Sequence, residues 1–219
     1  MHSLGRNIFL LFLWGGVHGA YAAPEDVGSE GRYKKFYVSA AEAFSRNQID
    51  EALQLVRQAE QAKPAQANTA NLLGAIYTRK RDWAGASTAF RRALQLQPAL
   101  PMARFNLAEV FFLSRQYSQA KAEFEAFLRE QPDNDLAQYK IFLCEILTGN
   151  HGHAEKISLA LKGKGDGLAY AYAKAAEAFQ NGNREVGLAW IQEAKQRSPC
   201  GPHAMFADSL VELGFLQDP

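Results

Sequence analysis

The chain has 219 residues, of which 47% are hydrophobic and 21% are charged, and its formal net charge is +1 at pH 7. This composition is typical of a globular protein and excludes an intrinsically disordered chain. The near-zero charge argues against a nucleic-acid-binding protein, because such a protein needs a basic face. The length is sufficient for one sizeable domain.

The N-terminus has the pattern of a secretory signal peptide. A short segment with one positive charge, Arg6, precedes an apolar run over 8–14. Small residues at Ala20 and Ala22 then form a site that signal peptidase accepts. The apolar run is shorter than the ~20 residues of a membrane-spanning helix, which disfavours an uncleaved anchor. We therefore expect cleavage after Ala22, a periplasmic or secreted location, and no stable insertion into a membrane.

The mature chain is expected to be neutral. Cleavage removes Arg6 and no acidic residue, so the formal net charge falls from +1 to 0. A neutral chain lacks a basic stripe for an anionic membrane or for nucleic acid. The segment at 23–32, with the sequence APEDVGSEGR, is expected to be a flexible leader into the fold.

Residues of one type recur along the chain every 34 positions, a period typical of helical-hairpin repeats. Alanine recurs at Ala52, Ala86, Ala120 and Ala154, and proline at Pro64, Pro98 and Pro132. Each proline follows an amphipathic segment, where it ends a helix. Each repeat is expected to form two antiparallel helices, because neither helix can bury its apolar face alone.

The repeats resemble the tetratricopeptide-repeat family. The copy at 67–100 has the family's motif residues, which are Leu73, Gly74, Tyr77, Ala86, Phe90, Ala93 and Pro98. The resemblance implies an all-α, right-handed superhelical solenoid of about five helix-turn-helix repeats. The expected organisation is repeats at 33–66, 67–100, 101–134, a degenerate copy at 135–167 ending in a glycine-rich loop, and 168–201, followed by a capping helix at 202–214.

No motif of catalysis or metal binding accompanies the repeats, so the sequence predicts a protein that is not an enzyme and has no cofactor. His151 and His153 are interpreted as parts of a degenerate turn, because a metal site needs three or four converging ligands. Cys144 has no obvious base beside it. Three carboxylates look isolated on first helices, where one could have a raised pKa: Glu109, Glu145 and Glu177.

The two cysteines of the mature chain, Cys144 and Cys200, leave one question open. An exported location permits a disulfide between them. The sequence favours two free thiols, because Cys144 lies in an apolar helical stretch and Cys200 in a much later turn, and a free cysteine commonly packs as a small hydrophobic residue.

The family resemblance also implies a binding surface. In the family, the first helices of the repeats line a concave groove that holds partner segments. Carried onto this chain, the partner-binding residues are Tyr37, Phe44, Asn68, Asn71, Met102, Phe105, Glu109, Phe112, Tyr139, Tyr172 and Phe179. The aromatic members suit an amphipathic helix or an extended apolar segment. Aromatic residues at helical spacing are explained equally well as core, so both interpretations stay open.

The groove would differ from the family's carboxylate clamp, because Asn71 and Asn106 alone do not rebuild that charged set. The predicted function is an exported module that binds a partner protein or peptide, as a scaffold in an envelope or secretion-related complex. A holdase-like peptide chaperone, a homo-oligomeric scaffold and a small hydrolase on a repeat scaffold are the alternatives.

Overall fold

A computed structural model describes residues 28–165 and 167–217, so the predicted signal peptide lies outside the described residues. Within those ranges the chain forms eleven α-helices and no strand, which confirms the all-α fold class. The helices are α1 Ser29–Ser45, α2 Ile49–Ala62, α3 Ala67–Arg79, α4 Trp83–Leu96, α5 Pro101–Leu113, α6 Tyr117–Leu128, α7 Asp135–Leu147, α8 His151–Leu161, α9 Leu168–Gln180, α10 Arg184–Arg197 and α11 His203–Glu212. None of these helices is long and apolar enough to cross a membrane.

The first helix begins inside the segment predicted to be a leader. The sequence predicts a flexible leader over 23–32, whereas α1 begins at Ser29. Glu30 lies in the first turn, where a carboxylate interacts favourably with the helix dipole. Its Oε2 atom also accepts a hydrogen bond from Lys63 Nζ at 2.6 Å. The leader prediction is therefore wrong for residues 29–32, because the charged residues indicate solvent exposure but are equally compatible with the first turn of a helix.

The turn between the two helices of each repeat is the same backbone motif five times. The second residue after the end of each first helix has a left-handed conformation. These residues are Asn47 (φ 60°), Arg81 (φ 57°), Arg115 (φ 62°), Gly149 (φ 80°) and Gly182 (φ 76°). The N–H of this residue and the next one donate back into the helix, as from Asn47 to the Phe44 carbonyl (2.9 Å) and from Gln48 to the Ala43 carbonyl (2.8 Å). This Schellman motif satisfies carbonyl groups that the helix end leaves unpaired.

Residues 28–110 form one compact unit, called here the first unit. In it α1 packs on α2, α2 on α3 and α3 on α4, and the first helices α1 and α3 also touch. The closest approach is at Gly74 of α3, where an added Cβ atom would lie 2.7 Å from the ring of Phe90 in α4. The small residue in the motif therefore lets the two helices pack around a buried aromatic ring.

The second unit comprises the described residues 111–165 and 167–217. In it α7 contacts α6, α8 and α9, while α9 contacts α8 and α10. The glycine has moved to the second helix of the last repeat: a Cβ atom at Gly187 would lie 2.5 Å from the ring of Phe179. The absence of a Cβ atom at Gly187 therefore lets α10 pack closely against the ring of Phe179 in α9.

The last helix packs differently from a cap that ends a stack. The sequence predicts that α11 covers the apolar edge of the last repeat. The structure instead places α11 against the first helices α9 and α7. Val186 and Leu188 of α10 stay 51% and 42% exposed. The helix therefore lies mainly on the side where the family resemblance puts partner segments.

Candidate partner-binding faces

The predicted binding residues lie on the first helices of the repeats, and we call the side of a unit that bears them its first-helix face. In the first unit this face is formed by α1, α3 and the part of α5 up to Val110. In the second unit it is formed by α7 and α9, with Phe112 at the end of α5. Each face is described separately below.

The centre of the first unit's face is a pair of asparagines. Asn106 Nδ2 donates a hydrogen bond to Asn71 Oδ1 at 3.2 Å, and the two residues are 1% and 6% exposed. This bond leaves the amide nitrogen of Asn71 and the amide oxygen of Asn106 without a partner among the described residues. The pair therefore offers one donor and one acceptor to a segment that lies on this face.

One end of the first unit's face is aromatic and polar. The rings of Tyr33 and Tyr37 stack with their centroids 5.8 Å apart, and Lys63 Nζ lies 5.6 Å from the centroid of Tyr33. Burial, with a contribution from Tyr33, raises the pKa of Tyr37 to about 12, so its hydroxyl keeps the proton at neutral pH. Sequence reasoning missed Tyr33, because it lies on the first turn of the repeat and outside the positions carried over from the family.

The other end of this face contains a buried ring and a guanidinium group. Phe44 is buried, and the Arg79 guanidinium carbon lies 5.4 Å from its ring centroid. Arg79 Nη1 donates to Asn47 Oδ1 at 3.0 Å, and burial lowers the pKa of Arg79. Phe44 is therefore part of a packed cluster with Arg79, a residue that the sequence analysis did not select.

The remaining predicted residues of the first unit differ in exposure. Asn68 is exposed, Met102 and Glu109 are half-buried, and Phe105 is buried. With the half-buried Tyr37, they give this face some accessible side chains of mixed polarity. Its role in partner binding stays a prediction.

The second unit's face is aromatic and is covered by α11. Tyr139 of α7 and Tyr172 of α9 are both 0% exposed. Phe206 of α11 packs against both, with ring centroids 5.4 Å from Tyr139 and 5.5 Å from Tyr172. The hydroxyl of Tyr139 donates to the Phe206 carbonyl at 3.3 Å. Two predicted binding residues therefore contact a helix of the chain itself.

The hydroxyl of Tyr172 lies 3.3 Å from His203 Nδ1, at the start of α11. His203 Nε2 lies 2.7 Å from the Ser198 carbonyl oxygen, which can only accept a hydrogen bond. Nε2 is therefore assigned the proton, and Nδ1 accepts from Tyr172. Burial, with a smaller effect of Asp208, raises the pKa of Tyr172 to about 12, and burial raises that of Tyr139 well above its usual range. Both tyrosines remain donors at neutral pH.

The other two predicted residues of this unit are also packed inside it. Phe179 meets Gly187 and stacks on Phe215, with centroids 5.8 Å apart. Phe112 is 2% exposed, and Lys140 Nζ lies 4.7 Å from its ring centroid. All four aromatic residues that were predicted to bind a partner in the second unit therefore contact side chains of the chain itself.

A polar cluster that the sequence analysis missed is centred on Glu145, which is 1% exposed. Its carboxylate accepts from Lys121 Nζ at 2.9 Å and Asn150 Nδ2 at 2.8 Å, and His153 Nδ1 lies 2.5 Å away. Burial alone would raise the pKa of Glu145, but the hydrogen bonds from Lys121, His153 and Asn150 outweigh it, so the pKa is lowered. The hydrogen bond with Glu145 in turn raises the pKa of Lys121.

The interpretation of isolated carboxylates is therefore wrong for two residues. Glu145 links α7 to α6 and α8 through its partners, and Glu177 forms an ion pair with Lys174. The partners of Glu145 come from two segments, α6 with Lys121 and the start of α8 with Asn150 and His153, so no single local motif signals the cluster. Both oxygens of the buried Glu145 carboxylate already have hydrogen-bond partners. The arrangement is therefore suited to holding helices together rather than to proton transfer.

The described part of the chain contains no group of three or more His, Cys, Asp or Glu side chains placed to hold a metal ion. Both cysteines are free thiols, Cys144 buried in α7 and Cys200 exposed. Within each unit, the packing of successive antiparallel helices is that of a helical repeat protein.

Comparisons with known proteins support that class. Residues 73–139 match the model of the family described as tetratricopeptide repeat. Over 100 residues the chain is 30% identical to the BBSome complex member BBS4 homolog of Drosophila melanogaster, which covers 46% of this chain and 21% of that protein. The chain thus spans about a fifth of the length of the curated relative that it matches.

Two solved structures are similar over most of the chain. MamA of Desulfovibrio magneticus RS-1, from residue 41 to its end, has a TM-score of 0.64 at 16% identity, covering 82% of this chain and 99% of that one. YrrB, described as a TPR protein with an unusual peptide-binding site, has a TM-score of 0.57 at 19% identity, covering 80% and 91%. The fold is that of tetratricopeptide-repeat proteins.

Proposed function

We propose that the protein is an exported interaction module and that the first-helix face of its first unit binds an extended segment of a partner protein. The observation that carries the proposal is the Asn71–Asn106 pair. Its bonded atoms, Asn106 Nδ2 and Asn71 Oδ1, lie 3.2 Å apart, which leaves an amide donor of Asn71 and an amide acceptor of Asn106 for a bound segment. A peptide backbone has the complementary acceptor and donor at every residue except proline.

The neighbouring side chains supply contacts that backbone hydrogen bonds cannot. Tyr37 and Met102 are half-buried, and Asn68 is exposed. Tyrosine gives a large apolar contact area at little conformational cost. Methionine gives an apolar contact area whose shape adapts to the partner. We infer that this part of the face selects the partner's side chains while the asparagine pair fixes its backbone.

Export is part of the proposal and rests on the pattern of residues 1–22. It places the partner in a periplasm or outside the cell, with an envelope or secretion-related assembly as the setting. Mass spectrometry of the protein isolated from its own host should give a chain that begins at Ala23. An intact Met1 in the isolated protein would overturn the export proposal and leave the binding proposal standing.

The binding proposal is tested by replacing both asparagines together. Peptides are first selected from a random peptide library on the full chain, and their Kd values are then measured for the double variant Asn71→Leu with Asn106→Leu. Replacing both partners of a hydrogen bond by apolar groups of similar shape leaves stability nearly unchanged. We expect the variant to fold normally and to bind at least ~10-fold more weakly, as for the loss of one or two hydrogen bonds.

The matched control is Gln95→Leu, which changes a polar to an apolar side chain at an exposed position of α4, a second helix. This variant should retain the full affinity. Equal affinities in the wild type and in the double variant, with both chains folded, would contradict a role of the asparagine pair.

A further inference from the structure

The last helix lies where a partner's helix would lie on the second unit. α11 belongs to no helical hairpin and packs on the first helices α9 and α7. We propose that α11 is a resident ligand of the second unit's first-helix face, and that a partner's amphipathic helix displaces it, inserting an aromatic residue in place of Phe206. This inference rests on the proposed function of partner binding.

The docked side of α11 has the pattern of a helix that binds in a groove. Phe206, Ser209 and Leu210 are the buried residues of α11. Their spacing of three and four residues puts them on one stripe of the helix. Phe206 enters between Tyr139 and Tyr172, as a central aromatic anchor does in helix-in-groove recognition.

The anchor also has polar contacts that define the direction of the bound helix. The hydroxyl of Tyr139 donates to the backbone carbonyl of Phe206, and Tyr172 pairs with His203 one turn earlier. The first of these contacts needs only a backbone carbonyl. A partner helix with an aromatic anchor can therefore reproduce it without having the sequence of α11.

Two features of α11 make it a weak ligand. The helix has ten residues, fewer than the ~12–15 at which an isolated helix becomes stable in water, so its structure depends on docking. Ser209 is 1% exposed, and its hydroxyl has no hydrogen-bond partner among the described residues. Burying an unpaired hydroxyl is unfavourable. A partner with alanine at this position avoids that cost.

The end of α11 also leaves space unfilled. A cavity of about 240 Å³ lies between Leu213 and Phe215 on one side and Phe112, Tyr117 and Leu147 on the other. The chain leaves the helix at this point, because Gly214 has a φ of 77° and ends it. A longer partner helix would continue into this cavity, whose lining combines apolar side chains with the charged side chains of Arg115 and Glu212.

The connection to α10 explains how a weak ligand can remain bound. The linker at 198–202 is short and contains Pro199 and Pro202, which limit its conformations. Such a linker gives α11 an effective concentration in the mM range or above. A partner helix must bind the face tightly enough to compete with the tethered α11, so a weakly binding helix does not displace it.

The inference is tested with a fluorescent peptide of the α11 segment, residues 202–217, added to the full chain. The Kd is measured by fluorescence anisotropy for the wild type, Phe206→Ala and Ser209→Ala. We expect Phe206→Ala to bind the peptide at least ~10-fold more tightly than the wild type, because its own helix no longer occupies the face. Ser209→Ala should bind the peptide more weakly than the wild type, because it removes the unpaired hydroxyl and strengthens its own docking.

Opposite effects of the two variants are the signature of a resident ligand. Equal Kd values in all three chains would overturn the proposal, and so would a dimer in light scattering that exchanges α11 between copies. If Phe206→Ala unfolds, the comparison of Ser209→Ala with the wild type still decides. Because the probe is the chain's own segment, the result is independent of whether the first unit binds an outside partner.

Discussion

The two units use the same positions of the same repeat to build faces of opposite character. In the first unit the centre of the first-helix face is the Asn71–Asn106 pair, whose remaining amide groups can still donate and accept a hydrogen bond. In the second unit the centre is Tyr139 and Tyr172, which are covered by α11. A large apolar patch left open is a site of association, whereas an amide pair is compatible with water. The side chains of the face thus decide whether the chain covers it.

The largest expected effect separates the two faces by stability. Tyr172→Ala removes a fully buried ring that packs on Phe206 and should lower the free energy of unfolding of the second unit by about 3–5 kcal/mol. Tyr37→Ala removes a half-buried ring and should cost the first unit about 1 kcal/mol. Urea unfolding gives both values. Similar losses for the two variants would contradict the difference between the faces.

Tryptophan fluorescence can assign each loss to its unit. Trp83 lies in α4 of the first unit and Trp190 in α10 of the second. In the chain that starts at Ala23, which lacks Trp14, a Trp83→Phe background leaves Trp190 to report on the second unit, and a Trp190→Phe background leaves Trp83 to report on the first. Tyr172→Ala should change the transition seen by Trp190 more than the one seen by Trp83.

A smaller effect is expected from Glu145, the buried carboxylate at the centre of the polar cluster in the second unit. Glu145→Gln replaces an acceptor of three hydrogen bonds by a group that also donates, and should lower the free energy of unfolding by about 1–3 kcal/mol. Glu155→Gln changes an exposed carboxylate of α8 and should have no measurable effect. Equal stabilities of the two variants would mean that the cluster does not link the helices.

The same residue predicts a dependence on pH. The pKa of Glu145 is lower in the folded state than the ~4.3 of an unfolded glutamate, so its contribution is present above that value and is lost as the pH falls. The pKa of Lys121 is raised, so its contribution is present below the unfolded value of ~10.4 and is lost at higher pH. Unfolding of the second unit between about pH 5 and pH 3 should depend less on pH in Glu145→Gln than in the wild type.

The smallest effect concerns the shared turn, where a non-glycine residue and a glycine in the same left-handed conformation should respond in opposite directions. Arg115 has a left-handed conformation that costs an L-residue ~1–2 kcal/mol, partly offset on replacement by the greater unfolded entropy of glycine. Arg115→Gly should therefore raise stability by about 0.5 kcal/mol. Gly149→Ala should lower it by about 1 kcal/mol through the backbone alone, because an added Cβ at Gly149 meets no atom within 4 Å. Thermal melting of both variants checks the signs.

The 34-residue period predicted much of this fold, because it reports which positions must be small for two helices to pack. Gly74 shows the rule, and Gly187 shows how the last repeat departs from it by exchanging the roles of its two helices. The glycines at 149 and 182 also signal the left-handed turn. Arg81 and Arg115 do not, because the same backbone is imposed there by the flanking helices.

The candidate site was less accessible to sequence reasoning. The spacing of Phe206, Ser209 and Leu210 predicts an amphipathic helix, but no period specifies the surface on which a terminal helix docks. Core aromatic residues and ligand-facing aromatic residues have the same helical spacing, so the spacing does not distinguish the two interpretations. Only the position of α11 shows what covers Tyr139 and Tyr172. The partners of Glu145 come from α6 and from the start of α8, which folding brings together around this carboxylate.

The central claim is that α11 covers the second unit's face as a separable ligand rather than as part of its core. Residue-resolved hydrogen exchange of the full chain measures this directly, because it gives the free energy of opening for each helix. We expect the amides of α11 to exchange at least ~10-fold faster than those of α7 and α9, by opening that leaves these two helices folded. Equal protection of α11, α7 and α9, lost in one cooperative step, would contradict the claim.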